Sequence, residues 1–181
     1  MTIPIFGKAH EAAAGADFTW FVYGSSLDRA AFAEWATAHG YQVPDFARAR
    51  PARLRGWRLS FDVRSKFWGG AVASLAEAPG ELVEGLAVPM AGAARGMVEH
   101  KEGAVSGLYT AFDVTLEPLE GGPALPAVAF RAAASRRLPA EAPPAPAYLA
   151  VMVKGAVAAG LSAGWRARLE ALGAAPPARA S

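Results

Sequence analysis

Apolar and polar positions along the chain change their spacing several times, and each change marks a predicted element. Residues 18–23 are aromatic or β-branched almost throughout and predict a buried strand. From 28 to 39 the period becomes helical, with Ala31, Phe32, Trp35 and His39 on one side, and Gly40 is placed to end the helix. After a connector over 41–51, alternation returns over 53–63. There Leu54, Trp57, Leu59 and Phe61 oppose Arg53, Arg55, Arg58 and Asp62, as in a half-exposed strand. Two further strands are predicted over 71–76 and 82–90, turned at Pro79-Gly80, and a short helix over 91–101, stopped by Gly103.

Strands at 108–116 and 125–134, separated by Gly121-Gly122-Pro123, complete the middle of the chain. Residues 139–146 hold four prolines and read as a stiff connector. A helix against the core follows Tyr148, with Leu149, Met152, Val153, Ala156, Val157, Gly160 and Leu161 at helical spacing. A second helix over 162–172 has Ser162 as its cap. Short spacings in the middle, helices at both ends and the lack of strand–helix alternation predict an α+β fold. Its sheet should be mostly antiparallel and strongly curved, or closed into a small barrel. The expected organisation is a loose leader over 1–17, one domain over 18–172 and a flexible tail over 173–181.

Composition narrows the function classes. The chain has no cysteine, which excludes disulfides, thiolate catalysis and zinc–thiolate sites. A formal charge of +2 gives no electrostatic footprint for nucleic acid. No secretory signal is evident at the start, and the apolar stretch over 148–165 carries Lys154 at its centre, so neither export nor a membrane span is expected. The expected setting is the cytoplasm. His10, His39 and His100 are too far apart in sequence to suggest a metal site, and no Gly-x-Ser-x-Gly motif accompanies the serines.

Two places offer chemistry. The first is the corner Tyr23-Gly24-Ser25-Ser26-Leu27, where Gly24 breaks the strand. Ser25 and Asp28 fit a capping box for the following helix. Free backbone N–H groups at such a corner favour a carboxylate or an oxyanion, although the same residues also make an ordinary strand–turn–helix connection. The second is Glu99 and Glu102, three apart on the short helix. Glu102 falls at the helix end where the macrodipole disfavours ionisation, and burial would raise its pKa further, making it a proton shuttle near neutrality. Both glutamates equally fit a solvated face with Lys101 between them.

Taken together, the motifs resemble those of the gamma-glutamylcyclotransferases. Tyr23-Gly-Ser-Ser-Leu27 is similar to the family's Tyr-Gly-Ser-Asn-Leu loop. Trp68-Gly-Gly-Ala-Val-Ala-Ser-Leu75, with Pro79-Gly80 and Gly85, resembles its Gly-rich strand and hairpin. Glu102-Gly103, leading to Ser106-Gly-Leu-Tyr109, resembles the segment with the catalytic glutamate. Pro143 to Tyr148, with Gly155-Ala156 and Gly160-Leu161, resembles the C-terminal turn and helix.

The resemblance implies a mixed, mostly antiparallel barrel flanked by helices, without metal or organic cofactor. It implies cyclisation of a γ-glutamyl group to 5-oxoproline with release of the attached amine, in glutathione metabolism. Glu102 would be the general acid/base, and Tyr23, Gly24, Ser25, Ser26, Leu27, Tyr109 and Tyr148 would bind the substrate. The partner is a small γ-glutamyl molecule, not nucleic acid or membrane, with a second copy of the chain left open. Ser26 departs from the family's Asn, which leaves two rivals: a catalytically idle binder of an acidic metabolite, and a γ-glutamyl hydrolase or transferase. The amine itself is not fixed, since members of the wider fold act on γ-glutamylamines and on γ-glutamyl groups protecting natural products.

Overall fold

Tight hairpins and one parallel contact close the sheet on itself. The computed structural model describes residues 15–174. The leader before residue 15, with His10, and the end of the tail, with Pro176-Pro177, lie outside the described residues. Strands β1 (Phe18–Val22), β2 (Arg50–Ser65), β3 (Gly70–Met90), β4 (Tyr109–Pro118) and β5 (Leu125–Ala132) form a closed barrel in the order β1-β3-β2-β4-β5. Every pairing is antiparallel except β1 with β5, which meet in parallel at Trp20 and Val128. Helices α1 (Arg29–Ala38), α2 (Arg95–Lys101), α3 (Pro146–Ala158) and α4 (Ala163–Ala174) accompany it. The expected α+β barrel with flanking helices is the fold observed.

The continuous apolar run of β1 reflects burial at successive positions, since Trp20, Phe21 and Val22 are all inaccessible to solvent. Trp20 packs on Phe32 of α1, ring centroids 5.6 Å apart, which joins the first helix to the barrel. Burying such rings is the main force that holds helix to sheet. The mixed burial of β2 matches its alternating sequence at the start, where Ala52 and Leu54 are buried and Arg55 is exposed.

One prediction needs correction. Pro79-Gly80 does not reverse the chain: β3 runs for 21 residues through it. Both halves pair with the same strand, Arg55 opposite Leu82 and Trp57 opposite Glu77, so residues 78–81 bulge against Gly56 alone. Gly56 and Gly80 take φ of +78° and +88°, and the extra residues bend the strand around the barrel instead of ending it.

The helical region after the prolines also divides differently. The apolar pattern past Tyr148 stops as a helix at Ala158, and Val157 is 52% exposed. Ser162 caps α4 as expected, its Oγ accepting from Trp165 N at 3.1 Å, and α4 continues to Ala174, into the span expected to be tail. Among the described residues, no helix is long and apolar enough to cross a membrane.

The Pro-rich connector is stitched down before it reaches α3. Leu138 N donates to Asp62 O, Ala142 N to Phe61 O and Ala145 N to Ala71 O. Arg58 pairs with Glu141, and Arg137 with Asp62. Pro146 then opens α3 at its first turn, where a missing N–H costs nothing. This route delivers Tyr148 to the end of β1.

Candidate active site

The corner after β1 is tighter than its sequence suggested. Ser25–Leu27 make a single 3₁₀ turn, with Leu27 N on Gly24 O and Asp28 N on Ser25 O, both at 3.1 Å. The expected cap at Ser25 is therefore displaced: Asp28 caps α1, its Oδ1 accepting from Ala30 N at 3.1 Å and Ala31 N at 3.3 Å. Ser25 is committed to the 3₁₀ turn, and the α-helix begins only after it. Lys154 of α3 donates to the other oxygen of Asp28 at 2.8 Å. With its partners in place, the Asp28 carboxyl is held below its ordinary pKa, first by the Lys154 hydrogen bond.

Close packing against α3 fixes the corner. A Cβ on Gly155 would lie 2.6 Å from Leu27 backbone and side chain, and a Cβ on Gly24 would lie 2.8 Å from the Tyr148 hydroxyl. Only glycine permits both approaches. Leu27 is fully buried and faces this packing, outside the cavity it was expected to line.

The cavity itself has a volume of about 730 Å³ and is shared by Tyr23, Gly24, Ser25, Ser26, Lys101, Glu102, Tyr109 and Tyr148. Glu102 terminates α2, and its backbone N–H bonds to Val98 O at 2.9 Å. Gly103, with positive φ, then turns the chain toward β4. Among the described residues no hydrogen bond or ion pair reaches the Glu102 carboxyl. Burial pushes its pKa up to about 7, against a smaller opposing pull from Lys101. Glu99 sits on the same helix but pairs with Arg95 at 2.7 Å, half-exposed and outside the cavity.

Three tyrosines surround this carboxyl and stay protonated, each phenol raised above its ordinary value chiefly by burial. Tyr23 Oη donates to Phe130 O at 2.5 Å, and Tyr109 Oη to Ala73 O at 2.6 Å, so both protons are engaged. The Tyr148 hydroxyl instead lies against Gly24 and makes no hydrogen bond among the described residues. Its own proton has no protein acceptor among the described residues and is available to a ligand.

The rest of the lining was not singled out as a site in the sequence. Phe32 and Trp35 come from α1 and His39 from its C-cap, Phe67 and Trp68 from the β2–β3 turn, and Val151 from α3. Phe32 and Trp35 read simply as one side of a helix, and nothing in the sequence said that this side would overlook Glu102. His39 and His100, 61 positions apart, bring their rings within 5.3 Å around Trp35. Among the described residues, no group of three or more potential ligands gathers in a way that could hold a metal.

Comparison with known proteins places this geometry in context. The chain is 28% identical to bovine gamma-glutamylcyclotransferase over 162 residues, spanning 87% of this chain and 80% of that one. It is 27% identical to the human gamma-glutamylcyclotransferase over 159 residues, spanning 86% and 78%. A solved structure of a gamma-glutamyl cyclotransferase superposes with a TM-score of 0.73 at 23% identity, covering 91% of each chain. No protein-family model matches the chain.

Proposed function

We infer that this relative of the gamma-glutamylcyclotransferases is an enzyme that cyclises a γ-glutamyl group to 5-oxoproline and releases the attached amine. The observation that carries the reading is the unpaired Glu102 carboxyl, with a pKa near 7, in one cavity with the Gly24–Ser26 corner and Tyr148. The substrate's α-amine is the nucleophile and attacks its own γ-carbonyl carbon. The new C–N bond closes the ring, and the old amide C–N bond breaks. Glu102 takes the proton from the attacking amine and gives it to the departing nitrogen, so no water is consumed and no side chain is acylated.

Several features support these roles. A carboxyl with a pKa near the working pH can both accept and return a proton, which such catalysis needs. The corner and Tyr148 would hold the glutamyl group folded back on itself, where effective molarities of about 10⁵–10⁸ M become accessible. The free Tyr148 proton can meet the oxygen on which charge develops. Tyr23 and Tyr109, with their protons engaged by the barrel, would shape the pocket walls.

Incubation with γ-glutamyl-ethylamide, with product masses read out, tests the reading. The expected products are 5-oxoproline and ethylamine. Free glutamate in place of 5-oxoproline would favour a hydrolase, and binding without turnover would favour an idle relative.

A further inference from the structure

The cavity around Glu102 has two walls of opposite chemistry. The polar wall is the Gly24–Ser26 corner with Tyr109 and Tyr148, and the proposed cyclisation engages the glutamyl half of the substrate there. The second wall is aromatic, built from Phe32 and Trp35 of α1, Phe67 and Trp68 of the β2–β3 turn, and Val151 of α3. Nothing in the cyclisation of the glutamyl half requires it.

Packing explains only part of this second wall. Phe32 is buried core, and Trp35 stacks on Tyr41 and His39. Phe67 is different: it is 86% exposed, at the turn between β2 and β3. Its ring stands edge-on to Trp68 with centroids 5.0 Å apart, and Trp68 stands edge-on to Tyr148 at 5.4 Å. A ladder of rings therefore runs from solvent down to the phenol beside Gly24.

Charge points the same way. Lys101 is the sole lysine or arginine in the cavity lining among the described residues. Its ammonium already lies 4.8 Å over the Trp35 ring and 5.8 Å over Phe32, partly withdrawn from water. Among the described residues no guanidinium faces the cavity, so there is no fork for a second carboxylate such as an amino-acid leaving group would carry, while Glu34 on the lining would repel one.

We propose that the amine released from this site is large, apolar and free of a carboxylate, an aromatic or branched alkyl amine seated between the α1 rings and the Phe67–Trp68 turn. The inference rests on the cyclisation reading. The amide nitrogen that leaves takes its proton from Glu102 as before, and burial of its apolar body against the rings supplies the added binding.

The test compares γ-glutamyl-phenethylamide, γ-glutamyl-ethylamide and γ-glutamyl-phenylalanine, with 5-oxoproline as the readout for each. The phenethylamide is expected to exceed the ethylamide in kcat/KM by at least about tenfold, as buried apolar increments do. It is also expected to exceed the phenylalanine conjugate. Phe67→Ala, at an exposed turn where folding is not at stake, should shrink the phenethyl-to-ethyl ratio, chiefly through KM. Equal efficiencies for all three compounds, a preference for the phenylalanine conjugate, or an undiminished ratio in Phe67→Ala would each overturn this inference alone. Absence of 5-oxoproline from every compound would overturn the cyclisation reading beneath it, and this inference with it.

Discussion

Asp28 and Glu102 both stand at helix ends near the polar corner, and their surroundings drive them in opposite directions. Asp28 is at the N-terminus of α1, where it accepts two backbone N–H groups and the Lys154 ammonium. Glu102 is at the C-terminus of α2, where the helix offers carbonyls instead of donors, and no side chain among the described residues compensates. Asp28 is buried and Glu102 half-buried, and desolvation acts on both carboxyls. What differs is the supply of donors, and that difference holds Asp28 ionised while it lifts Glu102 to about 7. A desolvated carboxylate is thus a structural clamp where donors converge, and a proton carrier where they are withheld.

The largest expected effect follows from removing the proton carrier. Glu102→Gln keeps size and polarity, so kcat should fall by roughly 10²–10⁴ with the fold retained. Circular dichroism and single-turnover rates measured together check both halves of that statement. In the wild type, the acidic limb of kcat/KM should rise through a pH of about 7, as the carboxylate form of Glu102 becomes available. A limb with an ordinary carboxylate midpoint would mean that another group accepts the proton.

The same substitution sharpens the comparison through stability. The folded pKa of Glu102 lies above the ordinary 4.5, so between about pH 4.5 and 7 the folded state holds a proton that the unfolded state has lost. Stability then declines as pH rises across that window. Glu102→Gln lacks this decline, and should gain on the wild type by up to about 3 kcal/mol at neutral pH, from 1.36 kcal/mol per unit. Urea unfolding at pH 4 and pH 8 measures it, and an advantage that does not grow with pH would contradict the desolvated, unpaired state.

Asp28 should behave in the opposite sense. Its folded pKa is lowered, so its contribution is present above the ordinary carboxylate range and fades as pH drops through the folded value. Asp28→Ala removes both the cap and the Lys154 partner, and is expected to cost about 2 kcal/mol at neutral pH. A thermal transition unchanged from the wild type would show that the corner does not depend on this clamp.

How much of this was legible in the sequence depended on how local each cause is. The barrel strands and the stop at Gly103 were readable because alternation and glycine placement are local signals. Pro79-Gly80 misled for the same reason: the pair has the chemistry of a turn, and only pairing of both flanks with β2 makes it a bulge. Ser25 was credited with a cap that Asp28 makes, since a 3₁₀ turn and the first turn of an α-helix look alike in sequence. Glu102 was legible as a candidate from its place before Gly103. The aromatic wall was not, because Phe32, Trp35, Phe67 and Trp68 come from separate elements that only the closed barrel brings to one cavity.

The smallest expected effect lies at Ser26, where the resembling family has Asn. Ser26 is buried in the corner, while Gly24 and Ser25 keep their backbone geometry. Ser26→Asn should change kcat/KM by less than about tenfold, or about 1.4 kcal/mol in the barrier. A large gain would indicate that the natural corner is impaired and that binding, not turnover, is its role.

The most direct measurement of the central claim uses a γ-glutamyl amide whose α-amine is acetylated, beside the same amide with the amine free. Cyclisation requires that amine as nucleophile, whereas hydrolysis does not. The expected result is 5-oxoproline and released amine from the free compound, and no release from the acetylated one. Continued release from the acetylated compound, with acetylglutamate appearing, would contradict it.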